Sequence, residues 1–227
     1  MRPLARVPRA AFALLIFALA LQLAWHAWRP PSRAPAAPLA PAPSLTALRL
    51  VSLGEPIALS KLLVLYLQGR NEQAWRSLDY GHLRDWLGRA LDLDPRSQAP
   101  LLAASEVYGA VNDAQRVRVM LDFVYQRFGA DPDRRWPWLA HAVLVAHHRL
   151  HDPPLARRYA EALRRQARGP GVPAWAHQLE LFILDDMGER DSERALIGAM
   201  LDSGQVSDPR ELQFLARRLE RLAGPSR

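Results

Sequence analysis

Four dipeptides that contain proline divide most of this 227-residue chain at nearly equal intervals. The prolines are Pro95, Pro132, Pro170 and Pro209, and they follow one another at spacings of 37, 38 and 39 residues. Proline cannot continue the interior of an α-helix, and it restricts the residue before it. Each dipeptide therefore predicts a helix boundary, and together they predict repeating units of almost one length.

Between these boundaries, apolar residues recur at spacings of three and four, which indicates amphipathic helices. Runs of β-branched residues with a period of two, which would indicate strands, are few. The pattern predicts an all-α fold. The predicted helices cover residues 56–69, 79–93, 98–110, 113–128, 135–150, 153–168, 173–187, 190–203 and 208–222.

Large apolar residues also return with the period of the units. Leu101, Trp138, Trp175 and Leu212 stand 37 residues apart, and a second series with the same step is Tyr108, Val145 and Phe182. Repeated aromatic residues at helical spacing are usually buried between helices, so we expect Trp138 and Trp175 in the core. A repeat of this length with two helices per unit is typical of a solenoid whose units stack on one another.

Three segments resemble parts of the tetratricopeptide repeat. Residues 83–95 (LRDWLGRALDLDP) resemble its second helix and closing turn, with an alanine and a proline at the spacing of that family. Trp138 followed by Ala142 resembles the start of a first helix, and residues 155–160 (LARRYA) resemble the opening of a second one. The resemblance covers about residues 56–222, as four units and a final capping helix, although the units are longer than the family's 34 residues.

This resemblance implies a right-handed superhelix of antiparallel helix pairs, whose first helices line a concave groove that receives peptides or partner helices. Trp136 has arginines beside it and adjoins a predicted helix start; aromatic residues with arginine are typical of interface hot spots, and a hydrophobic staple is the alternative. The residues predicted to contact a partner are Trp136, Arg135, Glu106, Val143, His147, Glu180 and Ile183.

The N-terminal part differs in composition from the rest. Residues 10–28 (AAFALLIFALALQLAWHAW) are about as long as the roughly 20 apolar residues that span a bilayer, and arginines precede them. We expect residues 1–9 to be cytoplasmic, residues 10–28 to be a transmembrane anchor, residues 29–44 to be a Pro/Ala-rich linker, and residues 45–227 to be an exported repeat domain. A signal peptide cleaved near Ala20 is the alternative for the anchor, and the linker is either an extended polyproline II spacer or disordered.

The charge belongs mainly to that N-terminal part. Five of the 30 basic residues and none of the 23 acidic residues precede Ser44, so the rest of the chain carries 25 basic and 23 acidic residues. A nearly neutral domain lacks the basic surface that nucleic-acid binding needs. The abundance of Ala, Leu, Pro and Arg is typical of a GC-rich bacterial genome. We therefore expect a single-pass protein of a bacterial inner membrane, with its C-terminal domain in the periplasm and no nucleic-acid partner.

No catalytic or cofactor-binding motif is found in the sequence. There is no cysteine, which excludes disulfides and thiolate metal sites. His147 and His151 have the i, i+4 spacing of metal ligands on one helical face, but exposed or capping histidines are the favoured interpretation. We expect a scaffold or adaptor that binds proteins without cofactor or metal. The alternatives are a permanent subunit of a membrane complex and an exported enzyme that uses the histidine-rich helix 141–151.

Overall fold

The computed structural model of the protein describes residues 9–28, 38–69, 78–204, 206 and 208–223. These residues form helices joined by turns and short loops and include no β-strand, so the predicted all-α class is confirmed. The chain divides into two compact units, residues 1–37 and 38–227. The predicted cytoplasmic residues 1–8 and the linker residues 29–37 lie outside the described part of the chain.

The first unit contains one described helix, α1 (Arg9–Trp28). The side chains from Leu14 to Trp25 are exposed. Among the described residues, none of the helices by itself combines the length and the hydropathy that a membrane span requires, and Leu14–Trp25 counts as a shorter apolar helix.

The second unit holds all the other described helices. They are α2 (Leu45–Val51), α3 (Pro56–Gln68), α4 (Tyr80–Leu93), α5 (Ala99–Leu102), α6 (Ala114–Phe128), α7 (Pro132–Leu144), α8 (Pro153–Gln166), α9 (Ala174–Asp186), α10 (Arg190–Asp202) and α11 (Pro209–Ala223). Two of these helices continue in a different helical form. Helix α5 is followed by a π-helical turn (Ala103–Val107) and then a 3-10 turn (Tyr108–Ala110). Helix α7 is followed by a π-helical turn (Val145–Arg149). All nine predicted helices are present, with ends within three residues of the prediction.

Short polar side chains and prolines fix where these helices begin. The Asp79 carboxylate accepts hydrogen bonds from the Gly81 and His82 amides, and the Asp152 carboxylate accepts one from the Leu155 amide. These bonds satisfy amide groups that have no partner within the first helical turn. Asp152 also accepts a bond from Arg118, and both contacts hold the pKa of its carboxyl below the usual range.

Helix α7 begins earlier than the sequence predicts. Its first residue is Pro132, a position that needs no amide hydrogen, whereas we predicted a start at 135. Pro137 therefore lies inside the helix, and Trp136 is its fifth residue and not a residue of the helix start. The short helix α2, which has only seven residues, was not predicted.

The end of the predicted linker is part of the helical unit. Leu39 is buried, its carbonyl oxygen lies 2.9 Å from Nδ1 of His82, and the Ala40 carbonyl accepts a hydrogen bond from Nε1 of Trp86 at 2.8 Å. Residues 38–44 thus run along α4, and nine residues of sequence separate them from the end of α1.

Alternate helices of the second unit lie side by side. The ring centroids of Trp136 on α7 and Trp175 on α9 are 5.5 Å apart, and His147 Nε2 lies 2.9 Å from an Asp186 carboxylate oxygen. Each pair joins residues that are 39 positions apart in sequence. Trp136 and His147 are eleven residues apart on one helix and its continuation, and Trp175 and Asp186 are eleven residues apart on the other. Helices α7 and α9 therefore run in the same direction.

Contacts between residues about one repeat apart in sequence also join other helices. Trp138 on α7 donates to Gln98 just before α5, and Arg218 on α11 donates to the Leu181 carbonyl of α9 at 3.4 Å. Helices α5, α7, α9 and α11 thus form one row, here called the odd row. On the other side, contacts of the same kind join α4 to α6 and α6 to α8; they are Arg127–Asp92 and Tyr159–Asp122, both at 2.8 Å. Residues one repeat apart in sequence thus touch in space, as expected of a helical repeat.

The buried tyrosine Tyr80 makes the fold sensitive to high pH. Burial raises the pKa of Tyr80 to about 12, whereas an unfolded tyrosine ionises near pH 10. The unfolded chain therefore binds fewer protons than the folded chain above pH 10. We expect the free energy of unfolding to fall by up to about 1.4 kcal/mol per pH unit from this group between pH 10 and 12. Chemical unfolding at a series of alkaline pH values measures this slope.

Tyr80→Phe is the matched variant for this prediction, because it keeps the ring and removes the phenol proton. The variant should lose stability with pH less steeply, though not to zero, since the pKa of Tyr159 is also raised by burial. An equal slope in both proteins would contradict the prediction.

Candidate partner-binding surface

Four aromatic side chains form a strip across the odd row, here called the aromatic strip: Trp136, Trp175, Phe182 and Phe214. Trp175 is 48% exposed and Phe182 is 41% exposed, whereas Trp136 and Phe214 are half-buried. Trp136 packs edge to face on Trp175, and the rings of Phe182 and Phe214 lie 6.4 Å apart. Trp175 and Phe182 are seven residues apart, so they share one face of α9 about 10 Å from each other.

The composition of α9 explains why this face is aromatic. The helix (AWAHQLELFILDD) is apolar on more than one side, and its buried sides already hold Leu179 and Ile183 in one core and Leu181 in another. Trp175 and Phe182 cannot enter these cores, so they lie at the surface. Exposed aromatic residues that meet across neighbouring helices form an apolar patch of the kind that marks interaction sites.

Charged groups hold the Phe182 end of the strip in place. The guanidinium carbon of Arg218 lies 5.1 Å from the centre of the Phe182 ring, a cation–π contact. Arg218 is buried and donates to the buried carboxylate of Glu193, and it lies 3.0 Å from an exposed carboxylate oxygen of Asp185. The ring therefore rests on a guanidinium whose position is fixed by its own partners.

Several residues that were predicted to contact a partner are buried instead. Val143 and Ile183 are core residues, at 0% and 3% exposure, so they cannot touch a partner in this structure. Glu180 is also buried and accepts a hydrogen bond from Arg164 at 2.8 Å. The cause is helix rotation: these residues lie on the sides of α7 and α9 that face neighbouring helices.

Arg135 is a buried structural residue as well. Its guanidinium donates to the carbonyl oxygens of Arg127 and Pro95, near the ends of α6 and α4. Burial lowers the pKa of Arg135, because the charged form loses its hydration. The partial negative charge of two helix C-terminal regions compensates part of that loss. Of the predicted contact residues, the structure leaves Glu106 exposed, and Trp136 and His147 half-buried.

The two histidines predicted to share a helical face do not do so. The π-helical turn ends at Arg149, and His151 lies beyond it with a φ of 50°. His147 instead contacts Asp186, and its ring centroid lies 4.5 Å from that of His148. Within the described ranges, no group of three or more His, Asp or Glu side chains is placed to hold a metal ion.

The expectation that both repeated tryptophans are buried is wrong for one of them. Trp138 is packed against the core and donates to Gln98, but Trp175 belongs to the aromatic strip. The sequence does contain a signal for this, because α9 has more large apolar residues than one buried face can hold. The sequence gives no such signal for Phe214, which lies on a helix that has six charged residues among its fifteen.

Known proteins give no further guide to this surface. No family model matches the chain, and no curated protein or solved structure matches it.

Proposed function

We propose that the protein is a non-catalytic scaffold or adaptor that binds another protein through the aromatic strip. The observation that carries this proposal is the exposure of Trp175 and Phe182 on one face of α9, in contact with aromatic residues of both neighbouring helices of the odd row. Tryptophan contributes much of the binding energy at protein interfaces, because it buries a large area at a low cost in conformational entropy.

The chemistry of the strip favours a partner segment with apolar anchors. The charges around it have both signs: Asp185 and Asp186 are exposed at its Phe182 end, and Arg134 is exposed on α7 near Trp136. Protein interfaces commonly have an apolar centre and a polar rim, and these charged residues fit such a rim around the aromatic strip. We infer an amphipathic helix or an apolar peptide whose side chains insert beside Trp175 and Phe182.

We further propose that α1 tethers this scaffold to a bacterial inner membrane, with the helical unit in the periplasm, where it assists the assembly or stability of an envelope or secretion complex. The first 28 residues support this: apolar residues follow three arginines and end in Trp25 and Trp28, as at a membrane interface. The repeat spacing supports a tetratricopeptide-like architecture, in which rows of helices present a peptide-binding face.

Fractionation of cells tests the tether. We expect the full chain to stay with membranes after an alkaline carbonate wash, because an inserted helix is not removed by loss of peripheral contacts. A chain that begins at Pro38 should be released from the membranes by the same wash if it is produced in the same compartment, because it lacks the inserted helix. Recovery of a full-length polypeptide in the soluble fraction, or of a mature form cut near Ala20, would contradict the anchor.

Site-specific photo-crosslinking tests the strip. A photoreactive phenylalanine analogue at Phe182 should capture a defined protein, whereas the same group at the exposed Gln126 on α6 should not. The double variant Trp136→Ala/Trp175→Ala should reduce the captured amount at least tenfold, since loss of a hot spot costs about 2 kcal/mol or more of binding free energy.

The matched control for this prediction is an alanine at Gln126 together with an alanine at another exposed polar site, Gln213. This double variant should leave capture from Phe182 unchanged. All variants should remain folded at the temperature of the crosslinking experiment, as measured by circular dichroism, which separates loss of binding from loss of folding. Undiminished capture by the folded tryptophan double variant would show that the strip is not the binding surface.

A further inference from the structure

The hairpin formed by α2 and α3 (residues 45–69) exposes an apolar surface that the helical unit does not cover. Arg49, Glu55 and Lys61 are its only charged residues. The hairpin side chains that are large, apolar and more than half exposed are Leu50, Val51, Leu53, Ile57, Leu62, Leu65 and Tyr66. By contrast, α11 exposes no large apolar side chain.

Helix α3 has two apolar faces with different roles. Leu63, Val64 and Leu67 are buried in the cores that also hold residues of α4, and the Ser60 hydroxyl donates to the Ala90 carbonyl of α4 at 2.7 Å. These contacts hold the hairpin on the helical unit. Ile57, Leu62 and Leu65 project from the other side of the helix and are exposed. This second face can therefore contact an apolar surface outside the helical unit.

The tip of the hairpin is strained in a way that its packing does not explain. Leu53 has a φ of 49° and is 91% exposed, and Gly54 follows with a φ of 92°. A left-handed conformation costs a leucine free energy that glycine would avoid. A large apolar side chain held at such a position, with little of its surface buried, points to a functional contact.

We propose that this hairpin lies in the interface of the bilayer that α1 enters, with Leu50, Leu53 and Leu62 below the phospholipid headgroups. The inference rests on the proposed tether. Nine residues separate Trp28 from Pro38, a reach of about 30 Å at full extension, so a membrane-inserted α1 limits how far Pro38 can lie from the bilayer. A lipid surface covers an entire apolar face without needing a matching shape.

The shape and charge of the hairpin favour lipid as well. Helices α2 and α3 reach the length and hydropathy of a membrane span only when they are taken together, and they are bent by 108°. A bent pair that packs some of its apolar side chains into protein cores lies on a bilayer instead of crossing it. Arg49 and Lys61 outnumber Glu55, and such basic side chains match the phosphates of anionic headgroups.

Fluorescent probes on single cysteines test this placement, because the natural chain has no cysteine. The full chain is reconstituted into vesicles of phosphatidylethanolamine and phosphatidylglycerol, with an environment-sensitive probe at Leu53→Cys, Leu62→Cys, Leu19→Cys or Gln213→Cys. Lipids that carry a nitroxide group then quench any probe within the bilayer. We expect several-fold quenching at Leu53, Leu62 and Leu19, and none at Gln213.

The four positions separate the two proposals. Quenching at Leu19 without quenching at Leu53 and Leu62 would overturn the hairpin placement and leave the tether intact. Quenching at the hairpin positions but not at Leu19 would uphold the contact of the hairpin with lipid and overturn the inserted tether. A blue-shifted but unquenched probe at Leu53 would show that protein covers the hairpin, either α1 or a second copy, and would also overturn the inference.

Discussion

Replacement of Glu193 by glutamine is expected to destabilise the C-terminal part of the helical unit by about 3–5 kcal/mol. Glu193 on α10 is fully buried and accepts a hydrogen bond from Arg218 on α11, which is 7% exposed. The glutamine has nearly the same shape but no charge, so the buried guanidinium would lose its main counter-ion. Urea unfolding followed by circular dichroism measures the change in the free energy of unfolding.

Two further variants show whether the buried charge is the cause. Asp185→Asn removes the exposed partner of Arg218, and we expect a loss of no more than about 1 kcal/mol, because solvent screens that contact. The double variant Glu193→Leu/Arg218→Met removes both buried charges and should recover most of the loss, since apolar pairs often replace buried ion pairs without cost. If Glu193→Gln costs no more than Asp185→Asn, the buried pair does not stabilise the fold.

The helices could be predicted from the sequence because their boundaries depend on local chemistry. Asp131 precedes Pro132 and Asp208 precedes Pro209, and in both cases the proline is the first residue of a helix. The predicted start of α7 at residue 135 is three residues late. In the structure Pro137 lies in the second turn, where the helix continues despite one missing amide hydrogen.

The surface could not be predicted equally well, because exposure depends on how each helix is rotated against its neighbours. The repeat period places Trp138 and Trp175 at equivalent positions, yet Trp138 is half-buried and packed against the core and Trp175 is 48% exposed. Small rotations between units move a side chain from the core to the surface without altering the sequence pattern. The same effect buries Val143 and Ile183, which helix position alone suggested as contact residues.

The contacts of the buried arginines could not be predicted from the sequence either. The composition shows many arginines, but it does not show that Arg135 donates to carbonyl groups near the ends of two earlier helices. Nor does it show that Arg218 and Glu193 form a buried pair. These contacts join residues that are 8 to 40 positions apart, so they follow from the stacking of the units and not from local pattern.

Tyr159 should be among the side chains whose loss most destabilises the unit, because it joins α8 to α6 through both its ring and its hydroxyl group. The residue is fully buried, its hydroxyl donates to the Asp122 carboxylate at 2.8 Å, and its ring lies 5.1 Å from that of Tyr125. Tyr159→Ala should cost about 3–5 kcal/mol, as for other large buried aromatic residues. Tyr159→Phe should cost about 1–2 kcal/mol, because only the hydrogen bond is lost.

Tyr125→Ala is the matched control, since Tyr125 is half-buried and makes the same ring contact from the other side. Its smaller loss of buried area should cost distinctly less than Tyr159→Ala. Because Tyr159 lies in the core that reaches from Val117 to Ile183, its loss should lower the stability of α6 to α9 together, in one unfolding transition. Equal costs for the two alanine variants, or a separate transition for α8 alone, would mean that the stacked units do not share one interior.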